Sequence, residues 1–314
     1  MEQNYINSQL CWAKKDFECA ILKAESVKTA MGEKVKPKVF RQLAYSYSGK
    51  GDYASAKKNI DEFFAKTKDP AISADYILKA EIYAGAGVPC EELYGVYLAG
   101  AATDSVLQSK IDFLSKAADF YKTKKCTLQE ADMRTVIYNT RTKPNPASLF
   151  NLGLLYTQAG EFKKADSLFA AYNTNFPDSI YGYSWRGRVN FSIDTTMTVE
   201  PYASNMVQNY QKALDVAGID KLRYKSHGLT AARTLAAYFV NIRNSRDTAL
   251  VYTYKGLEID STDEQLKNIR RVLEVKTPKQ TNQQKPPAKT NGKPVASIRK
   301  PLIKSEVKSS LVKK

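Results

Sequence analysis

His227 is the only histidine in 314 residues. It has no cysteine or carboxylate at metal-ligand spacing, so it reads as a structural or surface residue rather than as a ligand or general base. Cys11, Cys19, Cys90 and Cys126 form no Cys-x-x-Cys pair, which removes the usual zinc and thiol-redox motifs. Four cysteines in so long a chain also speak against a disulfide framework, and the expectation is that they are buried small hydrophobes. Gly85-Ala86-Gly87 lacks the third glycine and the preceding strand of a dinucleotide loop. Gly49-Lys50-Gly51 lacks the upstream glycine and the Ser/Thr of a phosphate loop. Glu91-Glu92 and Asp61-Glu62 read as solvated helix faces. No nucleophile–base pair and no paired-acid site is spelled out, so the expectation is a non-enzyme with no cofactor and no metal.

The remaining chemistry is recognition by aromatic and cationic side chains, and these need elements to hold them. The chain carries 48 Lys+Arg against 32 Asp+Glu, a formal charge of +16. Residues 276–314 hold eleven of the basic residues, one acidic residue (Glu306), five prolines and no aromatic. A segment so polar cannot bury enough surface to fold, so it reads as a disordered basic tail. Pro301 could open a short helix with Ile303, Val307 and Leu311 on one side, which would suit an anionic lipid surface. The lack of aromatic residues argues against base stacking with nucleic acid. No apolar run approaches the ~20 residues of a membrane-spanning helix.

The other 275 residues repeat. Apolar landmarks at Leu149, Leu152, Gly153 and Tyr156 lie on one helix face. Gly160 can supply the left-handed stop. A second amphipathic helix follows, with Ala165 and Phe169, and Pro177 ends it. The same order recurs at Phe40, Leu43, Ala44, Tyr47, Gly51, Ala56 and Ile60, and more weakly at Phe17 and Ala20. A small residue opening each second helix serves as a ruler: Ala20, Ala56, position 92 (Glu92 here), Glu130 or Ala131, Ala165, Ala203 and Ala249. Hairpins are expected near 4–33, 37–68, 73–103, 107–142, 146–177, 180–217 and 223–260, with a capping helix at 263–275. Leu43, Tyr47, Ala56, Leu152, Gly153, Tyr156, Ala165 and Phe169 are the expected core.

This pattern resembles the tetratricopeptide repeat (TPR), whose ~34-residue unit reads W-x2-L-G-x2-Y, A-x3-F, P. Only the initial Trp is missing at 149–177, where Leu149 stands. The landmarks are also similar to bacterial multi-repeat proteins of unassigned role, several of them exported. The resemblance implies an all-α, right-handed superhelical solenoid of about seven hairpins whose first helices line a concave groove. It also implies a scaffold that binds a protein or peptide there. Groove residues are then expected at Lys38, Arg41 and Tyr45, at Phe150 and Leu154, at Tyr181, Trp185 and Arg188, and at Arg233. The basic carboxylate clamp of chaperone-binding members is not evident, because Tyr45 follows Arg41 and the third unit offers Ile77 and Leu78. The N-terminus reads without a secretory signal, so a cytoplasmic location is the default. A periplasmic or cell-envelope location is the alternative if the gene start lies upstream.

Overall fold

The computed structural model describes residues 1–274, and among them are fifteen α-helices and no strand. The tail at 276–314 lies outside the described residues, and with it the expectations of disorder, lipid docking and a helix from Pro301. Helices pair in chain order: α1 (Glu2–Ala13) with α2 (Phe17–Met31), α3 (Pro37–Lys50) with α4 (Tyr53–Lys66), α5 (Ser73–Gly85) with α6 (Cys90–Ala102), and α7 (Leu107–Lys124) with α8 (Thr127–Thr140). These eight make one compact unit. A second unit holds α9 (Ser148–Gln158) with α10 (Phe162–Asn175), α11 (Ile180–Ile193) with α12 (Tyr202–Ile219), α13 (Lys225–Asn241) with α14 (Arg246–Ile259), and a last helix α15 (Glu264–Glu274).

Local chemistry sets the boundaries. Asp16 and Asp52 accept hydrogen bonds from the backbone N–H of Cys19 and Ser55, both at 3.0 Å, and so cap the orphan donors of α2 and α4. Pro37 opens α3, where its missing N–H costs nothing. Gly51 (φ +85°) and Gly160 (φ +79°) turn the chain left-handed between paired helices.

Several helix crossings set a small residue against a ring. Ala20, Ala56, Ala131, Ala165 and Ala249 are fully buried, and Ala203 nearly so. A Cβ at Gly153 would meet the Phe169 ring at 2.6 Å, and one at Gly187 would meet Tyr210 at 2.6 Å. The same contact joins Gly49 to Phe17 and Gly85 to Tyr53, both at 2.3 Å. Rings against bare backbone let helices approach closely, within a hairpin at Gly153 and Gly187 and between successive hairpins at Gly49 and Gly85. At the end of the second unit, Leu266, Ile269 and Leu273 of α15 are buried at i, i+3, i+7, and Leu266 packs over Gly256 of α14.

Three sequence expectations need correction. The ruler fails in the third hairpin: Glu92 is exposed and Leu93 is buried, so the register there is one residue later. Tyr47 is only half-buried, because its hydroxyl reaches out to Glu25. The cysteines are not free thiols: Cys11 pairs with Cys19 (Cα–Cα 5.8 Å) and Cys90 with Cys126 (Cα–Cα 6.4 Å). Motif spacing looks for partners close in sequence. Antiparallel helices bring together residues across a tight turn in the first case, and starts of α6 and α8 in the second.

Candidate functional site

The residues expected on the groove fall into two kinds. Arg41 on α3 reaches Asp75 on α5 at 3.1 Å and lies 5.5 Å from the Phe63 ring centroid. Asp75 is buried in the first turn of α5 and also accepts from the Ile72 N–H at 3.1 Å. Arg233 on α13 does the same at the start of α15: its guanidinium bonds the buried Asp263, which accepts from the Leu266 N–H at 2.9 Å. Both arginines therefore tie one hairpin to the next, with the carboxylate seated on the positive end of a helix. Their guanidinium groups are thus engaged within the fold rather than unpaired. Lys38 lies 4.4 Å from the Tyr5 ring, and Tyr45 packs edge-on to Trp12 at 5.4 Å.

Removing one of these ties leaves a buried carboxylate without its cation. Arg233→Met should cost about 3 kcal/mol for that reason. Lys267→Ala, which removes an exposed pair with Glu264, should cost under about 0.5 kcal/mol. Urea denaturation of the two variants measures both.

The other predicted residues do converge, in the second unit. Phe150 on α9 meets Tyr181 on α11 at 6.0 Å, and Tyr181 meets His227 on α13 edge-on at 5.4 Å. Tyr224, just before α13, stands 6.2 Å from Tyr181. Trp185 stacks on Phe169 at 5.9 Å, the ring that fills the space over Gly153. Arg188 lies 4.6 Å over the Trp185 ring. Leu154 sits one turn beyond Phe150 and is half-buried. Three consecutive first helices thus present one continuous row of rings.

His227, Tyr224 and Ser184 were not singled out from sequence for this face. The available signal was Tyr224 and His227 at i, i+3, which puts both on one side at the start of α13. His227 Nδ1 shares a hydrogen bond with Ser184 Oγ at 2.8 Å. Burial, with the Arg188 cation as the second cause, holds the imidazole below its ordinary pKa. It is therefore a neutral wall of the row at pH 7. Among the described residues no group of three or more His, Cys, Asp or Glu is placed to hold a metal ion. No described helix is long and apolar enough to cross a membrane.

Antiparallel helical hairpins paired in chain order, with small residues at their crossings, give the chain a TPR-like fold. Among solved structures it is similar to the C-terminal part of a TPR repeat-containing protein from Cytophaga hutchinsonii. The identity there is 20% over 84% of this chain and 98% of that one, with a TM-score of 0.45. It is also similar to a TPR repeats protein from Bacteroides fragilis, at 12% identity over 87% of this chain and 97% of that one, TM-score 0.36. A third likeness is to the TPR2AB domain of yeast Sti1 in its pHSP90 complex, at 14% identity over 87% and 96%, TM-score 0.37. No family model matches the chain. No curated protein matches it either. The hairpin geometry rests on this chain's own contacts.

Proposed function

We propose that the protein is a non-enzymatic interaction scaffold that binds a segment of another protein on the α9–α11–α13 face. The observation that carries this reading is the row Phe150, Tyr181, His227 with Trp185 beside it. Aromatic rings held by a rigid scaffold are the usual anchors of protein interfaces. The two ring-to-ring steps span at most about 11 Å, the length of roughly three extended residues. The Sti1 structure is titled as a complex with pHSP90, and peptide binding on this chain is proposed by analogy with it.

We also propose that the chain works in an oxidising compartment, the periplasm or cell envelope. All four cysteines are paired, and disulfides of this kind persist where thiols are not kept reduced. This reading favours export over the cytoplasmic default.

The test of the scaffold reading is retention on an array of amidated 11-residue peptides. The double variant Phe150→Ala/Tyr181→Ala should lose the peptides that the native chain retains, by about 30-fold in affinity, the effect of removing an aromatic anchor. Equal retention by both proteins would overturn the assignment of the face.

A further inference from the structure

The first helices of the second unit carry an unusual charge pattern. α9, α11 and α13 contain no Asp or Glu, and four cations: Arg186, Arg188, Lys225 and Arg233. Three of the four are neutralised within the fold. Arg186 pairs with Asp166 at 2.9 Å, Lys225 with Asp260 at 2.8 Å, and Arg233 with Asp263. Arg188 has no carboxylate partner among the described residues. Yet it is half-buried and held against the Trp185 indole, so its fork of donors is already placed. Its other neighbour in the row, His227, is satisfied by Ser184 and supplies no negative charge.

A half-buried guanidinium left without a carboxylate, while the other cations of α9, α11 and α13 are paired, calls for an anion from outside; Arg223, over the Tyr224 ring, is exposed and not held within the row. We infer that Arg188 receives a side-chain carboxylate from the middle of an apolar or aromatic stretch of a partner protein, whose flanking side chains lie on Phe150, Leu154 and Tyr181. This rests on the reading of the face as a peptide site. The chain's own tail does not fit, because residues 276–314 carry eleven basic residues and a single acidic one. A single-stranded nucleic acid fits poorly, since phosphate binding draws on several cations and α9, α11 and α13 leave only Arg188 without an ion pair.

The array separates the alternatives when it carries Leu-Phe-X-Phe-Leu cores with X as Asp, Asn or Lys, all amidated and acetylated, beside an oligouridine spot. The native chain should retain the Asp core over the Asn core by about 30-fold, the usual effect of one desolvated charge pair. Arg188→Glu should reverse the order, holding the Lys core above the Asp core. A variant that failed to fold would hold none, so the reversal is a gain that loss of structure cannot imitate. Equal retention of the Asp, Asn and Lys cores by the native chain would overturn the carboxylate inference and leave the peptide face standing. So would an unchanged ranking in Arg188→Glu. Retention of no peptide at all would overturn both. Oligouridine held more strongly than every peptide would overturn both as well and assign the face to nucleic acid.

Discussion

Ala165→Arg should unfold the α9–α10 hairpin. Ala165 is fully buried where α10 crosses α9, one turn from Phe169, whose ring already occupies the space over Gly153. An arginine there must either bury an unpaired charge or push the two helices apart, and the combined cost is on the order of 4 kcal/mol or more. The loss should be local first, because each hairpin in a repeat array draws its stability from its immediate neighbours. Hydrogen exchange read by mass spectrometry should show α9, α10 and α11 losing protection while the helices of the first unit keep theirs. Ala165→Ser, which adds one small polar atom, should keep most of the protection. Gly153→Ala is a sharper companion. Helix propensity alone favours alanine by about 1 kcal/mol, but the added methyl would stand 2.6 Å from the Phe169 ring. Destabilisation by Gly153→Ala would show that the ring contact outweighs propensity. A melting curve for Ala165→Arg that overlays the native one would show that the crossing is placed wrongly.

The crossing was readable in the sequence because it is local. A small residue opens each second helix at near-regular intervals, and periodicity reports what lies on one face of a helix. Ala20, Ala56, Ala165, Ala203 and Ala249 could be named for that reason. The third hairpin broke the ruler because Glu92 stands where a small residue is expected, and spacing alone does not show that Leu93 takes the buried place. The face was readable only in part. Phe150, Tyr181, Trp185 and Arg188 lie on predicted outer stripes and do converge. Arg41 and Arg233 lie on equivalent stripes, and each meets a carboxylate at the start of a later helix. Which arginine stays free depends on residues 20 or more positions away, and helix periodicity carries no information about them. The Cys90–Cys126 disulfide escaped for the same reason, and Cys11–Cys19 because the period of one helix does not report which residues meet across a turn.

The cysteine pairs give the second large effect, and its size follows from chain length. Cys90–Cys126 closes a loop with a sequence separation of 36, Cys11–Cys19 one of 8. Loop entropy removed from the unfolded chain then corresponds to ~4 kcal/mol for the first and ~2.5 kcal/mol for the second. Cys90→Ser/Cys126→Ser should therefore lower the stability of the first unit more than Cys11→Ser/Cys19→Ser does, and urea denaturation of the two double variants checks the order. Both bonds lie in the first unit and none of the described ones in the second. Dithiothreitol should accordingly lower the denaturation midpoint of α1–α8 and leave peptide retention by α9, α11 and α13 unchanged. The same pairing bears on compartment. Protein taken from its native cells, denatured and alkylated without reductant should carry no label on any cysteine. Four labelled cysteines would place it among reduced thiols and end the proposal of an oxidising compartment, while the row of rings around Arg188, which contains no cysteine, would be untouched by that result.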